Sequence, residues 1–371
     1  MKLKTLTLLN YRNISEACLA LSPNVNCIVG RNGMGKTNVL DAVFYLSFCK
    51  SSNASADAQN ILHDADFFML RGEYEREDGG HEQIDISIKR GGRKRIRHGE
   101  KEYRKLSEHL GRIPLVMIAP SDEYLVGGGA EERRKFMDMV IAQYDSRYVE
   151  SLIRYEQSLK QRNALLKQES GFDADVMNVV EEMMSMDADY IYNCRTLFAS
   201  EFLPLFQELY HKLCDGATEG VCIEYTSHIS RGALKQQLES FREKERIVGY
   251  TLHGTHRDDL TLLLSNQPLK YEGSQGQRKT YVIAMKLAQF LFLRKRGKGS
   301  MPILLLDDIF DKLDAGRVAK IVDYVASDDL GQIFITDTNR EHIDQLLART
   351  KKDYKLFYVH EGNITENNGT P

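Results

Sequence analysis

Two groups of residues in this chain have the types and spacing to handle phosphate. The first is Gly30-Arg31-Asn32-Gly33-Met34-Gly35-Lys36-Thr37, which fits the pattern G-x-x-x-x-G-K-[ST]. Glycines let backbone N–H groups curl around phosphate oxygens, and a helix starting there turns its positive end to the same anion. Lys36 has the reach for the β- and γ-phosphates, and the Thr37 hydroxyl is a hard-oxygen ligand for Mg²⁺. The flanks agree: Val25-Asn26-Cys27-Ile28-Val29 is an apolar strand-like run, and residues 38–44 are helix-like. A glycine-rich turn with an incidental lysine would need neither flank. The reading is a nucleotide site, with Gly30, Arg31, Asn32, Gly33, Met34, Gly35, Lys36 and Thr37 as cofactor-binding residues.

The second group lies far along the chain. Met301-Pro302-Ile303-Leu304-Leu305-Leu306-Asp307-Asp308 is an apolar strand ending in two carboxylates. Acid delivered at a strand end beside a phosphate loop is where Mg²⁺ is held. Asp307, with Thr37, is the expected metal group. Asp308 and Lys36 are the expected catalytic pair, Asp308 polarising an attacking water. Upstream, Gly273-Ser274-Gln275-Gly276-Gln277 precedes a helical stretch at 279–293. Ser-x-Gly-Gln at a helix start is again a phosphate-binding geometry, which adds Ser274, Gly276 and Gln277 to the cofactor-binding set. Leu313-Asp314 follows the acids, and Gln332-Ile333-Phe334-Ile335-Thr336-Asp337 reads as another strand ending in polar residues. Arg12, just after the first strand, is either a surface arginine or one that reaches the nucleotide from the sheet edge.

The elements that position these groups follow from periodicity. Residues 2–9 alternate, a short apolar piece covers 17–21, and the strand before the phosphate loop comes next, giving strand, strand, strand, loop, helix. From 84 to 101, alternation, Gly91-Gly92 and alternation again predict a hairpin. Arg93, Lys94, Arg95 and Arg97 cluster at its tip. They suit contact with a DNA backbone, or equally the protection of an edge strand by charge. After the buried strand Leu115-Val116-Met117-Ile118, helical spacing runs over 131–167. A polar break at 169–173 separates it from a second helix, bent or ended near Pro204. Two arms of roughly 45–55 Å in an antiparallel hairpin result. Met183, Met184, Met186, Tyr190 and Tyr192 are read as helix-packing core rather than a cofactor box. A strand near 221–225, a helix from a Ser230 cap to about 246, and a strand at 260–264 complete this part. His256 has no second ligand at metal spacing.

The whole chain sets bounds. Its 371 residues allow two domains, or one with a large insertion, and 42% hydrophobic with 28% charged content is ordinary for a globular protein. A net charge of −3 gives no global pull toward nucleic acid, so DNA contact would need a local basic patch. Six cysteines without C-x-x-C spacing read as reduced thiols. No apolar run approaches the ~20 residues of a membrane helix, so the expectation is a cytoplasmic protein with no membrane partner. The expected division is 1–120, an ATPase head with the phosphate loop; 121–246, an inserted helical lobe; and 247–371, the rest of the head.

In this order, the motifs resemble the ABC-type ATPase head: Walker A at 30–37, signature at 274–277, Walker B at 303–308 and D-loop at 313–314. The long insertion points to the SMC-like DNA-repair branch. The resemblance narrows to the RecF family of bacterial recombination mediators and covers nearly the whole chain. It is carried by Leu9-Asn10-Tyr11-Arg12-Asn13; Gly128-Gly129-Ala130-Glu131-Glu132-Arg133-Arg134-Lys135-Phe136-Met137-Asp138; Gly249-Tyr250-Thr251; His256-Arg257-Asp258-Asp259-Leu260; and Ser274-Gln275-Gly276-Gln277-Arg278-Lys279. It implies an α/β fold, a mixed sheet flanked by helices, with an inserted α-helical lobe built on the long helix hairpin. It also implies ATP and Mg²⁺, and an ATP-dependent homodimer in which one subunit's signature closes on the γ-phosphate held by the other. The implied partners are single- and double-stranded DNA at gaps, with RecO and RecR promoting RecA loading in repair, replication restart and the SOS response. ATP hydrolysis would be weak, DNA-stimulated and used as a switch.

The chain departs from the family pattern in four places. Thr255 replaces proline, Ser51-Ser52-Asn53 stands where basic residues are expected, Thr336-Asp337 is not followed by a switch histidine, and no Q-loop glutamine lies near Ala119-Pro120. The competing classes are a transporter-type ATPase subunit and an SMC-like structural head. Arms of roughly 50 Å are too short for long-range tethering.

Overall fold

The computed structural model describes residues 1–53, 56–168, 173–214, 220–297, 301–310, 313, 315–327, 330–350 and 352–366. They fall into two compact units, Met1–Asp122 with Leu213–Asp215 and Lys279–Pro371, and Glu123–Lys212 with Gly216–Arg278. The polar break at 169–172 lies outside the described residues, as does Asp314 of the D-loop.

The first unit holds two six-stranded sheets. One is antiparallel, in the order Ile14–Ala20, Lys2–Tyr11, Phe67–Glu75, His81–Lys89, Arg95–His98, Lys101–Glu102. Its buried face is read off by alternation: Phe68, Leu70, Ile84, Ile86, Ile88 and Ile96. The first strand breaks the period with a register shift between Leu3 and Thr5, which lets Leu3 and Leu6 both face inward. The basic hairpin forms as its sequence predicts, with Ser87 opposite Arg95.

The other sheet runs Asn363–Glu366, Tyr354–His360, Val25–Val29, Ile333–Asp337, Ile303–Asp307, Leu115–Ile118. All neighbours are parallel except the first pair. Every residue of the four strands from Val25–Val29 to Leu115–Ile118 is buried, as expected of parallel strands covered on both faces. Gln332 ties the sheets together. Its side chain accepts from Leu3 N at 2.7 Å and donates to Leu3 O and Ser22 O at 2.7 Å.

The second unit contains the helices Ala130–Ile141, Ser146–Leu166, Ala174–Leu213 and Leu234–Val248, and a three-stranded sheet ordered Gln267–Pro268, Asp259–Leu264, Val221–Thr226. Residues 247–278 therefore pack here rather than with the ATPase head, because Asp259–Leu264 pairs along its length with Val221–Thr226. The predicted helix over 131–167 is two helices. The chain breaks before Asp145, whose carboxylate caps the second by accepting from Tyr148 N at 3.0 Å. Pro204 does not end the long helix, which runs unbroken for 40 residues. The helix predicted from Ser230 starts at Leu234, after a one-turn 3₁₀ segment, His228–Arg231.

Ser146–Leu166 and Ala174–Leu213 do form an antiparallel hairpin. Asp145 accepts from Tyr190 Oη at 2.9 Å, Arg154 pairs with Asp187 at 2.6 Å, and Arg162 pairs with Glu181 at 3.0 Å. The partner number falls as the first number rises. The methionine stripe divides between two faces: Met184 is fully buried, but Met183 and Met186 are exposed, so these two are not helix-packing core.

Candidate nucleotide site

The strand Val25–Val29 delivers the phosphate loop, and the helix Lys36–Phe48 leaves it. Two glycines are dictated by geometry. Gly35 has φ 115°, and a Cβ there would sit 2.7 Å from Asn13 Oδ1. A Cβ on Gly30 would sit 2.4 Å from Val359 O. Neither place admits a side chain. The loop is braced from outside at Met34 O, which accepts from Asn13 Nδ2 and from Gly362 N, both at 3.0 Å. Asn38 Nδ2 in turn donates to Asn13 Oδ1 at 2.7 Å. Asn13 and the turn at Gly362 are parts of the site that residue chemistry alone did not assign.

Lys36 is buried, and its Nζ donates to Gly30 O at 2.7 Å and Arg31 O at 3.1 Å. Burial lowers its pKa, while Asp308, Asp307 and Asp337 act in the opposite sense. The cation is thus held at the loop within the field of three carboxylates. Arg31, Asn32 and Gly33 are exposed at the loop's crest.

The parallel register carries the acids to the same edge, with Asp307 opposite Thr336 and Asp337 opposite Val29. Thr37 Oγ1 donates to Asp307 Oδ1 at 3.0 Å and Oδ2 at 3.1 Å, and Thr336 Oγ1 donates to Oδ1 at 2.6 Å. Residues 270 apart in sequence therefore meet as a hydroxyl–carboxylate pair. Burial raises the Asp307 pKa, opposed by hydrogen bonds from Thr336 and Thr37. Thr37 and Asp307 present the hard oxygens that fit Mg²⁺. Asp308 takes a left-handed backbone, φ 48°, which is uncommon outside glycine. Its N–H donates to Thr336 O at 3.2 Å. Asp337 lies within 2.9 Å of His342 Nδ1, a histidine five residues beyond the strand end that strand spacing did not flag.

Arg12 sits in the turn that follows the strand Lys2–Tyr11. Its guanidinium bonds Asp41 at 3.0 Å and Ser51 Oγ at 2.8 Å. Asp41 is fully buried and also accepts from Tyr11 Oη, Ser52 N and Ser52 Oγ at 2.6–2.7 Å. Ser51 and Ser52, which replace the basic residues of the family pattern, serve this carboxylate.

Ser274 and Gln277 form a reciprocal cap on the helix Gln275–Arg296. Ser274 N donates to Gln277 Oε1 at 2.8 Å, and Gln277 N donates to Ser274 Oγ at 3.3 Å. Ser274 is exposed, and Gly276 is half-buried beside it. This signature belongs to the second compact unit.

Of the hairpin cations, Arg93, Arg95 and Arg97 are exposed. Lys94 is turned inward, pairing with Asp57 at 2.9 Å, donating to Cys49 O at 2.5 Å, and lying over the Tyr45 ring. It is not part of an accessible basic tip.

A parallel sheet that gathers a phosphate loop and an acid-tipped strand, an antiparallel sheet joined to it, and a helical insertion define an ABC-type ATPase head. The sequence profile of the family described as RecF/RecN/SMC N terminal domain matches residues 2–365. Proteins of Phocaeicola vulgatus and Bacteroides thetaiotaomicron, each called DNA replication and repair protein RecF, are 50% identical over 366 residues. The alignments cover 99% of this chain and 98% and 99% of theirs. The solved structure of the recombination mediator protein RecF with ATP superposes with TM-score 0.89 at 26% identity, covering 99% of this chain and 97% of that one. The Smc head domain of Pyrococcus furiosus gives TM-score 0.59 at 17% identity, over 99% of this chain and 96% of that one, and so shares the fold. The chain belongs to the RecF/RecN/SMC N-terminal family, in its RecF branch.

Proposed function

We propose that this chain is an ATP-gated DNA-binding protein of replication and repair. The observation that carries the reading is the meeting of Thr37 with Asp307 at the strand ends, next to Lys36 on its loop. Residues 30–37 hold the triphosphate, Lys36 neutralises it, and Thr37 and Asp307 hold Mg²⁺. Asp308 orients the attacking water in a slow hydrolysis that resets the switch. Ser274, Gly276 and Gln277 of a second copy complete the pocket, so ATP closes a homodimer. The dimer binds single- and double-stranded DNA at gaps and, with RecO and RecR, promotes RecA loading. The names borne by the relatives support the repair role, and the likeness to an ATP-bound RecF supports the nucleotide.

Sedimentation with and without ATP, in the presence and absence of gapped DNA, tests this. The parent chain dimerises with ATP. Lys36→Met stays monomeric because it loses ATP, whereas Ser274→Arg binds ATP yet stays monomeric. ATP-dependent dimers of either variant, with DNA affinity unchanged, would sink the reading.

A further inference from the structure

The helix Ala174–Leu213 carries apolar residues on two faces. The inner one includes Met177, Val180, Met184, Ala188, Ile191 and Phe198, all buried. The outer one is Val176, Val179, Met183 and Met186, which are 46%, 60%, 48% and 68% exposed. Their spacing of three, four, three is that of the a and d positions of a two-helix seam. Tyr190 continues the series and is half-buried, its hydroxyl on Asp145 and its ring under Arg147. Leu197, 50% exposed, follows seven residues on. From Val176 to Tyr190 the row is about 21 Å long. Single exposed apolar residues need no explanation, but a contiguous row at heptad spacing marks an interaction surface.

Charge selects the occupant. On one flank, each a position is preceded by an acid: Asp175 before Val176, Glu182 before Met183, and Asp189 before Tyr190. Glu182 is engaged by Lys235 at 2.5 Å; Asp175 and Asp189 make no ion pair among the described residues. The opposite flank is already covered by its own unit, with Val180 and Asp187 buried. A second copy fits badly in either sense. Antiparallel, acid would face acid; parallel, the acidic flank would have to reach a flank that is inaccessible. We propose that this row is a docking seam for an amphipathic helix of another protein, one with aliphatic residues at three–four spacing and Lys or Arg along one flank.

The probe is a synthetic helical peptide of about 18 residues, long enough to span the row, with leucines at that spacing and lysines on one flank. Its twin carries glutamates instead. Anisotropy titrations use the full chain at low salt and without nucleotide. The lysine peptide should bind at least about tenfold more tightly than its twin. Val179→Lys with Met186→Lys should lose that binding by about tenfold or more. Asp175→Lys with Asp189→Lys should reverse the preference toward the glutamate twin, a gain that misfolding cannot produce. Equal affinity for both peptides, or binding indifferent to the Val179/Met186 variant, overturns the proposal. So does nucleotide-independent self-association that the same variant abolishes, which would make the occupant a second copy.

Discussion

At the scale of single residues, the phosphate loop and the acid strand were legible because each is a short, local pattern of chemistry. What locality hides is who holds the chemistry in place. Asn13 and Thr336 act through partners 21 and 29 positions away in sequence, and no local pattern records them. The same holds for Arg12: its type was noted, but its partner Asp41 is chosen by the fold. Asp307 is the residue whose removal speaks most directly to the metal. Asp307→Asn keeps the size that Thr37 and Thr336 hydrogen-bond, but loses the charge. A fluorescent ATP analogue titrated with and without Mg²⁺ should show Mg²⁺-dependent affinity falling on the order of tenfold or more, with metal-free binding little changed.

At the scale of elements, the basic hairpin shows what alternation reveals and what it leaves out. Its strands, turn and register follow from period two and Gly91-Gly92, but the inward turn of Lys94 depends on Asp57 and Tyr45, which lie elsewhere. Reversing Arg93, Arg95 and Arg97 to glutamate should therefore weaken DNA binding. The log–log salt slope should flatten by about 0.9 for each phosphate that is no longer neutralised, with ATP affinity unchanged. Lys94→Glu should instead lower stability. Unchanged DNA affinity in the arginine variant would make the hairpin a protected edge.

The helical unit is fastened by buried charge. Arg162, fully buried, meets Glu181 and Glu245, also fully buried, at 3.0 and 2.5 Å, and bonds Thr251 Oγ1 at 2.9 Å. Arg162→Ala leaves Glu245 without its buried guanidinium, while Arg242 still pairs with Glu181, and should cost about 3–5 kcal/mol, read as a lower urea midpoint for that unit. The runs at 128–138 and 256–260 meet around Arg195, which pairs with Asp138 at 2.8 Å and Asp258 at 2.7 Å. Arg133 grips Asp259 beside them. Much of what reads in sequence as a family signature is thus the joinery of this unit. The long helix was visible from its period, yet its outer row was misassigned, since periodicity marks an apolar face without saying what covers it.

At the scale of the whole molecule, stability should depend on pH through two buried histidines. Burial depresses His109 and His256 to about 4 each. In the unfolded chain they take up protons near 6.5. Between those values the unfolded state binds more protons, so stability is full above about 6.5 and declines as pH falls toward 4. Denaturant midpoints at pH 7 and pH 5 should differ in that direction, and replacing both histidines with glutamine should flatten the difference. An unaltered slope would assign it to the carboxylates.

The phosphate loop is clasped by segments on either side of it in sequence, by Asn13 before it and by Val359 and Gly362 far after it. Its sheet takes strands from Val25 through Glu366. During synthesis, then, the loop leaves the ribosome well before the residues that finish it. A nascent chain has the glycines and Lys36 but not the wall they lean on. Nucleotide capture is thereby deferred until Val359 and Gly362 have been made, and a product stalled before them carries the motif without the grip.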